Sequence, residues 1–369
     1  MTITSHAHAR DVSVAIPVHT PVRPIERAVG SVVADGARAI VVCHNTEPGP
    51  IRERLAGLTG DIELVELRDG IPSPAGPLNR GLDAVDTEFA CVLGSDDFFE
   101  AGALTAWAGA LREERGDVMM MRTRTVDHER PEESSEATIP HVRPGRRRRL
   151  DPVADRLGYR TGPMLLLRTQ LLRDHGIRMR DGLRHGEDLE FTAKAFLRAR
   201  RIDLAPASMP RHVVVAGAED RIQAVRFPAE EMLLPAQGLR GCEWFTKAPK
   251  EFRRAYAIRT VRRDVLGTLV RHAQTLTPDG ALAIQEELSA WLAVASIQNA
   301  LSRGEERLIR ELVATSDVEA QSRIAGDWSR LGIVDRLLPA RPGGALDREQ
   351  RARHAASGIL NRQWDRIRP

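Results

Sequence analysis

Cysteine is scarce: the 369 residues hold three, Cys43, Cys91 and Cys242. So few thiols, so widely spaced, build neither a disulfide framework nor a cysteine zinc site. Cys43 and Cys91 sit in the apolar runs AIVVCH and EFACVLG, where a small buried thiol is expected. Aromatic residues make up only 4% of the chain, which argues against a stacking platform for single-stranded nucleic acid. Net charge is nearly absent too. Against 54 Lys and Arg stand 51 Asp and Glu, leaving +3, so no global field steers nucleic acid to the molecule. No window reaches the ~18 uninterrupted apolar residues of a membrane-spanning helix. The first residues, MTITSHAHARDVSV, lack the apolar stretch of a secretory leader. These absences set the expectation of a cytoplasmic protein.

What is present fits a globular chain: 42% hydrophobic, 28% charged and a mean hydropathy of −0.30. The length allows two to three domains of about 150 residues. In the first half, short β-branched runs alternate with helix-like stretches. Val12–Val18, Arg38–Cys43, Ile62–Leu67, Phe89–Leu93 and Asp117–Met121 read as buried strands. Helices are expected over about 24–35, 50–58, 78–86 and 100–115, with a proline-broken loop at Arg68–Pro77. This alternation predicts a Rossmann-like, mostly parallel, doubly wound sheet. Residues 122–150 are polar and read as a mobile loop. Met164–Arg168 and Val213–Ala216 read as further strands, and Glu187–Arg200 as a helix. From about residue 220 the spacing turns helical, as in Ile258, Val261, Val265 and Leu269. The expected organisation is a catalytic α/β domain over 1–217 and an all-helical domain over 218–369.

Three local features carry chemistry. Gly94-Ser95-Asp96-Asp97 follows a buried strand, where ligands collect in parallel sheets. Paired carboxylates there suit a hard divalent cation on a diphosphate, or else a helix N-cap. Gly186-Glu187-Asp188 opens a helix. A carboxylate in that place serves either as a general base or as a favourable charge at the helix start. The loop Ser73–Gly81 holds Gly76, Asn79 and Arg80, suited to a phosphate or to a plain turn.

The order of these features resembles the bacterial family 2 glycosyltransferases of the GT-A fold, which act by inversion. The motifs that carry the resemblance are Val14-Ala15-Ile16-Pro17-Val18, Asn79-Arg80-Gly81-Leu82, Leu93-Gly94-Ser95-Asp96-Asp97 and Gly186-Glu187-Asp188-Leu189-Glu190-Phe191, over about residues 11–215. The resemblance implies a nucleotide-diphosphate sugar donor, with a UDP-sugar favoured, and Mn²⁺ or Mg²⁺ as cofactor. It places the metal on Asp97, with Asp96 nearer the ribose or sugar. It makes Asp188 the base for an acceptor hydroxyl, Glu187 an accessory contact, and Pro17 and Val18 a wall for the nucleoside. Asn79 belongs to the donor side. Two positions depart from the pattern. Cys43-His44-Asn45 stands where an acidic pair is common, leaving the Asn45 carbonyl to accept from the base. Gly94 stands where Asp is frequent.

His212 is a further candidate for the metal or the diphosphate. Arg143 and Arg146–Arg149 form a cationic run, either solvated or a flap in which Arg147 meets the donor diphosphate. The stretch Arg240–Arg271 has Arg253, Arg254, Arg259, Arg262 and Arg263 on or near one helix. It reads as a core-facing helix with a wet basic face, or as a contact for an anionic leaflet or polymer. The acceptor implied is a hydroxyl on a glycan, cell-surface polymer or lipid carrier, and nucleic acid is not expected as a partner. The helical tail offers a surface for self-association. Two other readings remain: a sugar-phosphate nucleotidyltransferase, and a non-catalytic nucleotide-sugar-binding or scaffold protein. The first usually has a Gly-rich loop after its first strand, where this chain has Val18-His19-Thr20-Pro21.

Overall fold

The computed structural model describes residues 9–128, 134–136, 142–160, 162–217 and 226–367. Strands β1 (Val12–Val18), β2 (Arg38–His44), β3 (Ile62–Leu67) and β4 (Phe89–Val92) alternate with helices α1 (Ile25–Ala34), α2 (Pro48–Leu55) and α3 (Ala75–Asp83). There follow β5 (Phe98–Phe99), α4 (Ala103–Glu113), β6 (Val118–Met120), β7 (Thr123–Asp127) and β8 (Ser134–Glu136). Then come β9 (Leu165–Arg168), α5 (Thr169–His175), α6 (Asp188–Arg198), β10 (Ile202–Leu204) and β11 (His212–Ala216).

Seven strands form one sheet in the order β10-β6-β9-β4-β1-β2-β3. The pairs β1–β2, β1–β4, β2–β3 and β6–β10 are parallel, while β9 runs antiparallel between β4 and β6. Ala15 of β1 stands opposite both Ile40 and Val92, so β1, β2 and β4 end at the same edge. The side-chain period of two in β1 sends Val12, Val14, Ile16 and Val18 into one apolar layer and Ala15 into the other. The first layer holds Trp107 of α4 and the second holds Phe196 of α6, both almost fully buried. Each such side chain contributes about 1.5–3 kcal/mol by leaving water. A Cβ at Gly81 would lie 2.6 Å from the Ala15 Cβ, so glycine is what lets α3 approach the centre of the sheet.

Several expectations need correction. The loop expected over 122–150 contains β7 and β8, which join β5 and β11 in a second sheet of order β5-β11-β7-β8. Thr123, Thr125 and Val126 supply the β-branched residues that pair with His212–Ala216 in register. Helix α3 begins and ends three residues earlier than expected, because Pro74 and Pro77 fall at its start, where proline is tolerated. The short elements β5, β10 and α5 have too few residues to show a period.

The remainder is helical: α7 (Ala229–Gly241), α8 (Glu243–Thr246), α9 (Lys250–Thr260), α10 (Leu266–His272), α11 (Pro278–Val294), α12 (Arg303–Val313), α13 (Val318–Arg330), α14 (Ile333–Leu337) and α15 (Arg351–Ile367). A π-helical turn, Val261–Val265, joins α9 to α10. Ile258, Val261, Val265 and Leu269 are fully buried in one core with Phe245, Tyr256 and Trp291. Leu189 and Ala193 of α6 belong to that same core, so the helices pack directly on the element that carries Asp188. The basic face expected to be wet is in good part turned inward. Arg262 pairs with Glu305 at 2.8 Å with both side chains almost fully buried, Arg259 pairs with Asp264, and Arg254 pairs with Asp347 at 2.5 Å. No helix among the described residues is long and apolar enough to cross a membrane.

Candidate active site

A cleft of about 670 Å³ opens at the carboxyl edge of β1, β2 and β4. Its walls come from four stretches distant in sequence: Pro17–His19 with Arg23, His44–Asn45, Pro72–Pro77, and Gly94–Asp96. The segment Arg184–Asp188 closes it from the side. Pro17, Val18, Asn45, Asp96, Glu187 and Asp188 are thus brought together as expected from the sequence.

The aspartate pair divides its work. Asp96 is buried and accepts from Arg23 Nη1 at 2.7 Å, while its carbonyl accepts from Arg27 Nη2 at 2.5 Å. Asp97 is tied to β11 and, like His212, is not in the cleft lining, although its Oδ2 would lie 3.2 Å from a Cβ at Gly94, which is. Its Oδ1 accepts from the Val215 N–H at 3.0 Å, and its Oδ2 faces His212 Nε2 at 3.4 Å. His212 is buried, stacks edge-on against Phe99 at 5.3 Å, and leaves its Nδ1 without a hydrogen-bond partner. Parallel pairing of β11 with β7 and antiparallel pairing with β5 hold that imidazole in place. Among the described residues, no three His, Cys, Asp or Glu side chains gather closely enough to form a complete metal cage.

Glu187 and Asp188 stand at the start of α6. Burial raises the pKa of Glu187, and burial and the neighbouring Glu187 push Asp188 up to about 8. Arg259 of the helical part works in the opposite sense.

The loop before these carboxylates is pinned from both sides. Asn79 donates from Nδ2 to the Met179 carbonyl at 3.0 Å and to Asp181 at 3.1 Å, and its Oδ1 accepts from the Met179 N–H at 2.9 Å. Ser73 Oγ donates to the Leu183 carbonyl at 2.5 Å. On the other side lies Pro235, inside α7. Lacking an N–H, it frees the Glu231 carbonyl from the helix ladder. His185 Nε2 takes up that carbonyl at 3.2 Å, and burial keeps the imidazole's pKa low, so the neutral ring donates. Gly186, at φ +67°, lies so close to Pro235 that a Cβ would meet its Cγ at 2.6 Å. Arg184 adds a bidentate pair with Glu231 and stacks over Phe227 at 4.7 Å.

Three expected donor contacts are placed differently. The Asn79 amide is spent on the 179–181 backbone and Asp181. Asn45, in a left-handed conformation at φ 52°, has its Oδ1 taken by the Gly70 N–H at 3.0 Å. Its Nδ2 reaches His44 at 3.0 Å and Asp69 at 3.2 Å, and His44 in turn bonds Asp69 at 2.9 Å. Asn45 therefore lines the cleft as part of a closed hydrogen-bond set. Arg147 lies along the β10 edge, where its carbonyl accepts from Leu204 N at 2.8 Å and its Nη1 reaches Asn361 at 3.4 Å. The nearby Arg143 makes a bidentate pair with buried Asp155, both bonds 2.8 Å. The arginine run thus flanks the sheet edge instead of the cleft. Arg23, Arg184 and His185 line the cleft without having been expected there, because no local pattern marks a residue whose partner is 73 positions away.

Topology and cleft together define the fold of this chain as GT-A, with a helical C-terminal region. The solved structures it resembles include Staphylococcus aureus TarS 1–349 in complex with UDP-GlcNAc, at a TM-score of 0.65 and 17% identity over 86% of this chain and 91% of that one. The complex of the same protein with UDP gives 0.65 at 19% identity. Among curated sequences, the poly(ribitol-phosphate) beta-N-acetylglucosaminyltransferase TarS of Staphylococcus aureus (strain Mu50 / ATCC 700699) is 28% identical over 145 residues, 39% of this chain. The poly(ribitol-phosphate) beta-glucosyltransferase of Bacillus spizizenii (strain ATCC 23059 / NRRL B-14472 / W23) is 23% identical over 146 residues. These matched stretches span only 24% and 22% of the relatives' own lengths. No family model matches the chain.

Proposed function

We propose that this chain is an inverting glycosyltransferase, moving a sugar from a nucleotide-diphosphate donor to a hydroxyl of an anionic polyol-phosphate or glycan polymer. One observation carries the reading. Asp96, in the turn after β4, and the raised-pKa carboxyl of Asp188 line a single cleft with Pro17 and Val18 as an apolar wall. The likeness to proteins named as UDP-GlcNAc-bound TarS and poly(ribitol-phosphate) transferases supports a uridine donor and a polymer acceptor.

In this mechanism Asp188 takes the proton of the acceptor hydroxyl as its oxygen attacks the anomeric carbon. The bond to the diphosphate breaks on the opposite face, which inverts the configuration. A raised pKa makes the Asp188 carboxylate a stronger base once it is ionised. Asp97 would supply a carboxylate to Mn²⁺ or Mg²⁺, with His212 beside it at 3.4 Å as a nitrogen ligand that suits Mn²⁺ better than Mg²⁺. When bound, such a cation would offset charge on the departing diphosphate. Arg23 holds Asp96 in place for the sugar or ribose hydroxyls.

The test is turnover. With UDP-N-acetylglucosamine or UDP-glucose, Mn²⁺ and a polyol-phosphate polymer, anomeric proton couplings in the product are expected to show inversion. Release of UDP without polymer modification, or a retained configuration, contradicts the proposal.

A further inference from the structure

A second cavity, of about 490 Å³, lies wholly outside the cleft. It opens between the π-helical turn, α12, the C-terminal end of α13, α14 and the start of α15. Its floor is Arg262, with a side chain only 2% exposed, bound through Nε and Nη2 to Glu305 at 2.8 and 2.9 Å. Arg351 Nε reaches the same carboxylate at 2.8 Å and its guanidinium lies over Trp328 at 5.8 Å. One carboxylate therefore serves two guanidinium groups.

Two more arginines complete the wall, and among the described residues no carboxylate is hydrogen-bonded to either. Arg336 donates to the backbone carbonyls of Trp328 and Ser329, at 3.4 and 3.0 Å. Arg263 makes no hydrogen bond among the described residues; its nearest compensation is the field of buried Asp264, which Arg259 and Arg271 share. His354 lines the same space. Burial holds its pKa down near 4, so it adds a neutral ring bonded to Glu349 at 2.9 Å. The lining thus carries four guanidinium groups against one carboxylate. Four guanidinium groups around one carboxylate leave the wall net positive, which favours entry of an anion. Guanidinium forks match the paired oxygens of a phosphoryl group. Trp328, Leu331 and Leu337 add a carbon surface.

We propose that this cavity is a second ligand site, for a small polyol or sugar phosphate whose phosphoryl group sits among Arg263, Arg336 and Arg351. The proposal does not depend on the chemistry of the cleft, since none of these residues lines it.

The experiment is calorimetric titration of the full chain with glycerol 3-phosphate and, separately, with inorganic phosphate. Each is compared with Arg263→Ala/Arg336→Ala and with the single charge reversal Arg336→Glu. Both arginines are exposed, so the fold is expected to survive, and a thermal melt checks it. The ester is expected to bind the unaltered chain and to lose at least tenfold in affinity in the double variant. Hydrogen exchange is expected to show protection at 328–337 and 351–355. Tighter binding of the ester than of inorganic phosphate assigns a polyol phosphate as the ligand; equal binding assigns phosphoryl recognition alone. The absence of binding by either probe, or affinity unchanged in both variants, overturns the proposal.

Discussion

At the scale of single residues, the account turns on Asp188. Asp188→Asn is expected to leave donor affinity nearly unchanged and to lower kcat by about 10²–10⁴-fold, because a base acts only as the hydroxyl is being deprotonated. Equal losses in affinity and rate would make Asp188 a binding group. A second prediction follows from the raised pKa. A carboxyl whose folded-state pKa lies above its unfolded value near 3.8 contributes stability that is fully present below pH 4. That stability is lost as pH rises through about 8. Asp188→Asn removes the penalty, so the variant should melt higher than the unaltered chain at pH 9, by a few degrees, and together with it near pH 3.5. Melting curves at the two pH values decide this; a constant offset would assign the change to packing. Much of the site was legible in the sequence because Asp96-Asp97 and Glu187-Asp188 are short motifs at element boundaries. What escaped was relational. That Asn79 and Asn45 spend their amides inside the protein, and that Arg23 holds Asp96, depends on partners brought close only by the fold.

At the scale of elements, the sheet was legible where strands are long and buried on both faces, as in β1 and β2, whose apolar runs leave little choice. The strands β7 and β8 were hidden because β7 finds its partner β11 some 90 residues on, and β8 is a three-residue edge strand paired with β7. The role of Pro235 in α7 was hidden as well, since a lone proline in a helical pattern does not announce which carbonyl it frees. Pro235 leaves the Glu231 carbonyl to His185 and packs against Gly186, two residues from Asp188. Pro235→Ala restores a helix N–H that competes for that carbonyl. It is expected to lower kcat by about tenfold while donor affinity holds, the signature of a slightly misplaced base. A drop in donor affinity of the same size would show that Pro235 shapes the cleft as a whole. Asn79→Ala should act in the same direction from the opposite side of the loop, since three hydrogen bonds to 179–181 are lost. Trypsin is expected to cut slowly at Arg143–Arg149, where Arg143 is tied to Asp155 and the backbone pairs with β10; rapid cleavage there would argue for the flap.

At the scale of the whole molecule, the helical region packs directly against the candidate site. Its core takes in Leu189 and Ala193 of α6, its Arg259 acts on Asp188, and its α7 braces the loop of Gly186. A chain of residues 9–217 is therefore expected to expose that α6 face and aggregate, or to fold with little turnover. Light scattering and a turnover assay on the shortened chain check this, and a fully active monomer would show the helices to be dispensable. The central claim is that the cleft is a nucleotide-diphosphate site with the cation on Asp97. Calorimetry of UDP with Mn²⁺ tests it most directly, on the unaltered chain, Asp97→Asn and Asp188→Asn. The account predicts one Mn²⁺-dependent site, lost in Asp97→Asn and kept in Asp188→Asn. Binding that ignores Mn²⁺ and survives Asp97→Asn, or no binding of UDP at all, would contradict it.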